Sequence, residues 1–231
     1  HDGHDGHDHD EHALPGMQGD EQSLWKVVDH DHVTALNAVA RGVADPNAAG
    51  AVLKPWDERF DVSVCLESDA DAQLILQIPF TASVKLKSVL ISGGPGGAAP
   101  RRVHLFANRS DVDFDTANGI QPDQTLELIE EPTGGGGGSA SQNDAASARR
   151  VRPLPEYAVK TAVFRSLKTL TLFIDASVAS EASGDDDAIT RLFFVGLKGD
   201  YQAFTTDPII SSYELVANPA DHRTAAGPHS V

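Results

Sequence analysis

Residues 73 to 92 read QLILQIPFTASVKLKSVLIS. In its second half Val84 and Leu86 point to one side while Lys85 and Lys87 point to the other, the period of two that a half-buried strand imposes. The first half, QLILQI (73–78), is an apolar run of strand length, and the intervening IPFTAS reads as the turn that joins two strands, because Pro79 cannot donate to a central ladder. One such hairpin does not make a fold, but the same rhythm repeats downstream. RRVHLFA (101–107), TLELI (125–129), YAVKTAVF (157–164), TLTLFI (169–174), ITRLFFVGL (189–197) and IISSYELVA (209–217) are short runs of strand type. Gly, Pro, Asp or Asn clusters separate most of them. Regularly punctuated short strands predict an antiparallel sandwich or jelly roll, and the alternating strand–helix rhythm of a doubly wound sheet is missing.

Upstream, SLWKVVD (23–29) reads as a short strand. DHDHVTALNAV (29–39) places Val33, Leu36, Val39 and Ala40 at one-face helical spacing, which predicts a short N-terminal helix. ADPNAAG (44–50) is a loop. In VLKPWDERFD (52–61) the Lys54-Pro55 step forces extended backbone, and Trp56 is expected to pin the turn to the body.

With 231 residues the chain suits one sandwich domain. Net charge is −16, so the surface repels phosphate backbones and anionic lipid, and neither nucleic acid nor membrane is an expected partner. No stretch reaches the roughly 18 apolar residues of a membrane-spanning helix. The N-terminus lacks the apolar core of a secretory signal, and the missing initiator methionine reads as loss of a few residues. The single cysteine, Cys65 in VSVCLES (62–68), forbids an intramolecular disulfide and reads as a small buried apolar residue rather than a nucleophile.

Residues 1–19 open with HDGHDGHDHDEH, a histidine- and acid-rich tail with nothing to bury, expected to be disordered and to chelate metal only loosely. The glycine-rich insertion 131–153 ends in the basic cluster Arg149, Arg150, Arg152. It is read as a flexible loop with a solvated base. SEASGDDDA (180–188) is an acidic loop without the alternate ligand spacing of a calcium site, so no metal is expected. GGPGG (93–97) lacks the lysine of a phosphate loop, and the usual nucleophile, zinc and thiol-redox motifs are absent. His104 reads as a structural strand histidine. The expectation is therefore no catalytic residue and no cofactor.

Five blocks carry a more specific signal: KPWDERFD (54–61), ESDADAQLILQIPFTASVKLKSVLI (67–91), LTLFI (170–174), FFVGLKGDY (193–201) and YELVANPADHR (213–223). In this order and spacing they closely resemble the PITH domain family, the proteasome-interacting thioredoxin module, over roughly 20–223, leaving 224–231 as a tail. The resemblance implies an all-β antiparallel sandwich of jelly-roll, galactose-binding-like type. It further implies a cytoplasmic or nuclear, monomeric, non-enzymatic adaptor whose partner is the regulatory particle of the proteasome or a similar assembly. A structural subunit of a cytoskeletal or ciliary complex is the next reading, followed by small-ligand binding at the jelly-roll loops. The last requires Trp25 and Trp56 at the surface beside a cleft. Some of the matching blocks are polar and turn-rich, and they nominate Lys54, Trp56, Asp57, Arg59, Asp221, His222 and Arg223 as lock or partner contact. For the last three, locking the chain end through hydrogen bonds and an Asp–Arg pair is the leading expectation.

Overall fold

A computed structural model describes residues 21–130, 154–185 and 187–204. The chain is an all-β antiparallel sandwich. Its strands are β1 (Thr34–Leu36), β2 (Ala38–Arg41), β3 (Cys65–Ser68), β4 (Leu74–Ser92), β5 (Pro100–Ala107), β6 (Gln124–Glu127), β7 (Glu156–Ala158), β8 (Leu167–Ser177), β9 (Arg191–Leu192) and β10 (Phe194–Ala203). One sheet runs β1-β4-β8-β5-β6, with β10 and β7 also paired to β4; a second runs β2-β3-β9.

The hairpin expected at 73–92 is instead one strand of 19 residues. IPFTAS does not reverse the chain; it is where the β4–β8 register slips, between Pro79 and Val84. The first half of β4 pairs with β1 and β8, the second mainly with β10 and β7. Pro79 is tolerated because its stretch leans on the N-terminal segment: Asp29 N–H donates to Pro79 O at 2.9 Å, and Thr81 Oγ1 to Val27 O at 3.2 Å.

Leu74, Leu76, Ile78, Phe80, Ala82, Val84 and Leu86 all enter the main core, and then the parity changes to Val89 and Ile91. A β-bulge does this. Lys198 pairs with Ser88 and Gly199 with Leu86, so Lys87 is the extra residue, and one added residue moves every later side chain to the other face. Leu170, Leu172 and Ile174 of β8, Val103 and Leu105 of β5, and Val195 and Leu197 of β10 complete that core. Ile75, Phe106 and Phe173 point the other way into a smaller cluster closed by Val112 and Ala117.

The expected N-terminal helix at 29–40 is absent. His30–His32 form a single 3-10 turn, and β1 and β2 follow. Between these strands Asn37 adopts φ +54°, and this left-handed residue switches the chain from the large sheet to the small one. Its amide donates to Asp71 Oδ1 at 2.9 Å and Gln73 O at 2.6 Å, and its Oδ1 accepts from Ala70 N–H at 2.9 Å. The SDAD turn is thus a clasp around Asn37. SLWKVVD, expected as a strand, is also a 3-10 turn (Trp25–Val27) held by single bridges, Ser23 to Lys198 and Val28 to Phe80. Among the described residues two short helices escaped the sequence reading, α1 (Phe114–Gly119) and α2 (Val178–Ser183), each started by a reciprocal cap, Asp113 with Thr116 and Ser177 with Ser180. The second occupies the first half of the stretch read as an acidic loop. Cys65 is buried, and burial pushes its thiol pKa up.

Candidate functional site

KPWDERFD is a loop locked from within. Lys54 is buried, and its ammonium donates to Asp61 O at 2.7 Å and Val64 O at 3.0 Å, with Asp61 Oδ2 at 3.6 Å. This ties the start of the loop to its end. Asp61 accepts from Ser63 N–H at 2.8 Å, an Asx turn that sets the exit. Pro55 enters the 3-10 turn Trp56–Glu58, and the Arg59 guanidinium lies 4.5 Å from the ring centroids of both Trp56 and Phe60 while donating to Trp56 O at 2.6 Å. Lys198 of β10 places its ammonium 4.7 Å from the Trp56 centroid, anchored by Glu156 at 2.8 Å. Burial works against the Glu156 charge, but hydrogen bonds from Lys198 and Ser88 hold its carboxyl below the usual range. Two cations on one indole fix Trp56 against the sheet, as expected of it.

Of the residues nominated from sequence, Lys54 is an internal staple and Arg59 is committed to the rings of its own loop. Trp56 and Asp57 reach the surface together. Asp221, His222 and Arg223 lie outside the described residues.

Trp56 and Asp57 face a cleft of about 400 Å³. It is also lined by Glu21, Ser23, Trp25 and Lys26 of the N-terminal segment and by Tyr201 near the end of β10. Trp25 is held by its indole N–H, which donates to Leu53 O at 2.9 Å, so the ring is oriented although partly exposed. Tyr201 is 52% exposed. Three aromatic rings therefore share one concave surface with two carboxylates and one ammonium. The condition set for ligand binding, both tryptophans surface-exposed beside a cleft, is met in part: Trp25 is exposed and Trp56 half-buried. Sequence reading missed Tyr201, Glu21 and Lys26 because they are far from KPWDERFD in the chain; the bridge of Ser23 to Lys198 brings them together.

A second polar group lies across β5, β8 and α2. Arg102 donates to Glu127 at 2.9 Å, Asp175 at 2.8 Å and Glu181 at 2.7 Å. His104 bridges Thr125 Oγ1 at 2.9 Å and Asp175 Oδ2 at 3.1 Å, and its ring stacks on Phe173. These charges knit strands together through Asp175 Oδ2, a structural role for His104, while Asp175 Oδ1 is buried without a hydrogen-bond partner among the described residues. Burial raises the Asp175 pKa, but hydrogen bonds from His104 and Arg102 outweigh it and leave the carboxyl below its ordinary 3.8. The folded state then holds fewer protons than the unfolded chain near that pH, so stability from Asp175 is complete above 3.8 and is lost as pH falls through the folded value. Arg102→Ala is expected to cost about 1–2 kcal/mol at neutral pH, the hub being partly exposed. The stability gap between wild type and Asp175→Asn should narrow on acidification below 3.8 in urea unfolding; a constant gap would remove the pairing from the stability account. Among the described residues no cluster of three or more His, Cys, Asp or Glu side chains is arranged to hold a metal ion.

Residues 15–217 match the PITH domain family model. A PITH domain-containing protein of Schizosaccharomyces pombe is 33% identical over 208 residues, covering 90% of this chain and 87% of its own. PITH domain-containing protein 1 of Danio rerio is 33% identical, covering 90% and 85%, and that of Homo sapiens 31%, covering 90% and 84%. Among solved structures, the CBM32-1 and CBM32-2 domains of Clostridium perfringens ZmpB give a TM-score of 0.44 at 10% identity, covering 78% of this chain and 36% of that one. A fucolectin from Morone saxatilis serum gives 0.44 at 9%, covering 78% and 49%. The locked KPWDERFD loop, the SDAD clasp and the long bulged strand thus sit inside a family match that takes in nearly the whole fold, and the chain belongs to the PITH domain family.

Proposed function

We propose that this chain is a non-enzymatic interaction module of the cytoplasm or nucleus. It docks on the regulatory particle of the proteasome, or a comparably large assembly, through the face around the Trp25–Trp56–Tyr201 cleft. The observation that carries this reading is the convergence of three aromatic rings from three separate segments on one exposed concave surface. Trp and Tyr are enriched at the energetic centres of interfaces, because a rigid ring buries much area at little entropic cost. The family resemblance is what suggests the partner, and the strongly acidic chain suits a basic patch on it.

Affinity purification of the tagged chain from native lysate, with quantitative mass spectrometry, tests this. The best variant is Tyr201→Ala with Asp57→Ala, since both side chains are exposed, whereas Trp56 and Arg59 brace the loop. Regulatory-particle subunits are expected to enrich with wild type and to fall about fivefold or more with the variant at unchanged melting temperature. Full retention by the variant would remove the face from the proposal. A second reading, a small ligand held between the rings, is favoured by the cleft volume of about 400 Å³, within the range of small-molecule sites. It predicts that a small molecule from the lysate raises the melting temperature of wild type but not of the variant.

A further inference from the structure

We propose that the cleft receives a basic side chain, an arginine or lysine on an extended segment of the partner protein. This deepens the reading of the same face as a docking surface and rests on it. The argument begins with the carboxylates. Glu21 and Asp57 are exposed on the lining, and among the described residues neither makes a close ion pair, though Asp57 acts electrostatically on Arg59. Two exposed carboxylates beside the Trp25, Trp56 and Tyr201 rings make a concave surface on which cation–π attraction and ion pairing can act on one guest.

Trp56 already shows the preference, with Arg59 and Lys198 at 4.5 and 4.7 Å from its centroid. Trp25 and Tyr201 offer further ring surface to an incoming cation. An acidic segment would be repelled by the −16 charge of the chain, and an apolar one would strip water from both carboxylates without replacing it. Among the described residues Lys26 is the one cation on the lining, and it opposes the guest. That opposition gives the proposal a signature that shape complementarity alone lacks: neutralising Lys26 tightens binding, while neutralising Asp57 and Glu21 weakens it.

The probe is a fluorescein-labelled Gly-Ser-Arg-Gly-Arg-Ser-Gly peptide, with citrulline-for-arginine and glutamate-for-arginine counterparts. They are titrated against the full chain at low salt by fluorescence anisotropy. Wild type is expected to bind the arginine peptide about tenfold or more tightly than either counterpart. Glu21→Gln with Asp57→Asn should weaken it about fivefold, and Lys26→Gln should strengthen it about threefold. All three substitutions are at exposed positions and leave melting unchanged. Equal binding of the citrulline peptide, no binding of the arginine peptide, or weakening by Lys26→Gln overturns the proposal. Tighter peptide binding after Arg149→Gln, Arg150→Gln and Arg152→Gln would assign the cleft to the chain's own arginines and overturn the partner version. In the lysate purification, a partner lost by the Tyr201 variant but kept by Glu21→Gln with Asp57→Asn places the face correctly and sinks the basic guest. A partner kept by both sinks the face as well.

Discussion

Gly199→Ala is expected to destabilise the domain by about 3 kcal/mol or more, a fall of roughly 6–12 °C in melting temperature. A Cβ on Gly199 would lie 2.1 Å from Lys85 O, 3.0 Å from its carbonyl carbon and 3.1 Å from Leu86 Cα. All three atoms are backbone, so no rotamer change relieves the overlap; β10 must move off β4. The close approach lies at the bulge, where Gly199 pairs with Leu86 next to the extra residue Lys87. Displacing β10 there also pulls on the N-terminal segment, since Gly199 N–H donates to Gln22 O and Leu24 N–H to Leu197 O, both at 2.9 Å. Tyr201 is two residues further on, so the cleft should open as the strand shifts. Gly196→Ala is the control. Its Cβ would meet the Phe194 ring at 2.6 Å, a side chain rather than backbone but one buried in the core, and a smaller loss of about 1–3 kcal/mol is expected. Urea unfolding of both variants checks the order, and similar small losses would mean the bulge is looser than its geometry implies.

That bulge shows where sequence reading stops. Period-two alternation identifies β4, β5 and β8 because one face of each meets the core, and such patterning is visible in a single chain. The parity change at Lys87 is not visible: VKLK and SVLI both look like strand, and only the register against β10 shows that one residue is extra. The false helix at 29–40 has a related cause. Val33, Leu36, Val39 and Ala40 share helical spacing, yet Val33 only follows a 3-10 turn, and Asn37 in a left-handed conformation puts Leu36 in one sheet and Val39 and Ala40 in the other. Its partners at 70–73 are more than thirty residues away, too far for local propensity to register. The caps of α1 and α2, D-x-x-T and S-x-x-S, were local signals, but helices of six residues have too little apolar periodicity to draw attention. At the cleft, Trp56 and Asp57 were legible as polar turn residues lacking an obvious packing reason. Lys54 and Arg59 share that look but serve the loop itself, and charge alone does not tell a staple from a contact.

Lys54→Met separates the two roles. Methionine keeps most of the side-chain length and removes the ammonium, leaving Asp61 O and Val64 O without their donor, so a loss of about 3 kcal/mol is expected at neutral pH. The pH dependence carries a sign that packing alone does not produce. Burial pushes the Lys54 pKa below 10.5, although Asp61 and Glu58 pull against it. The folded chain therefore releases this proton at a lower pH than the unfolded chain. Between the folded pKa and 10.5 the unfolded state binds more protons, and stability from this group rises with pH across that window. Wild type should gain on Lys54→Met as pH is raised from about 8 towards 10.5 in urea unfolding; parallel curves would show an ammonium solvated in the native state. Partner capture supplies the other half. With the staple gone, the 55–64 loop loosens, and Trp56 and Asp57 lose their placement, so Lys54→Met should lose partner in step with lost stability. Tyr201→Ala with Asp57→Ala should lose partner at full stability. If Lys54→Met instead abolished capture while melting like wild type, the buried ammonium would belong to the contact, and the assignment of KPWDERFD as a self-locked platform would have to be reversed.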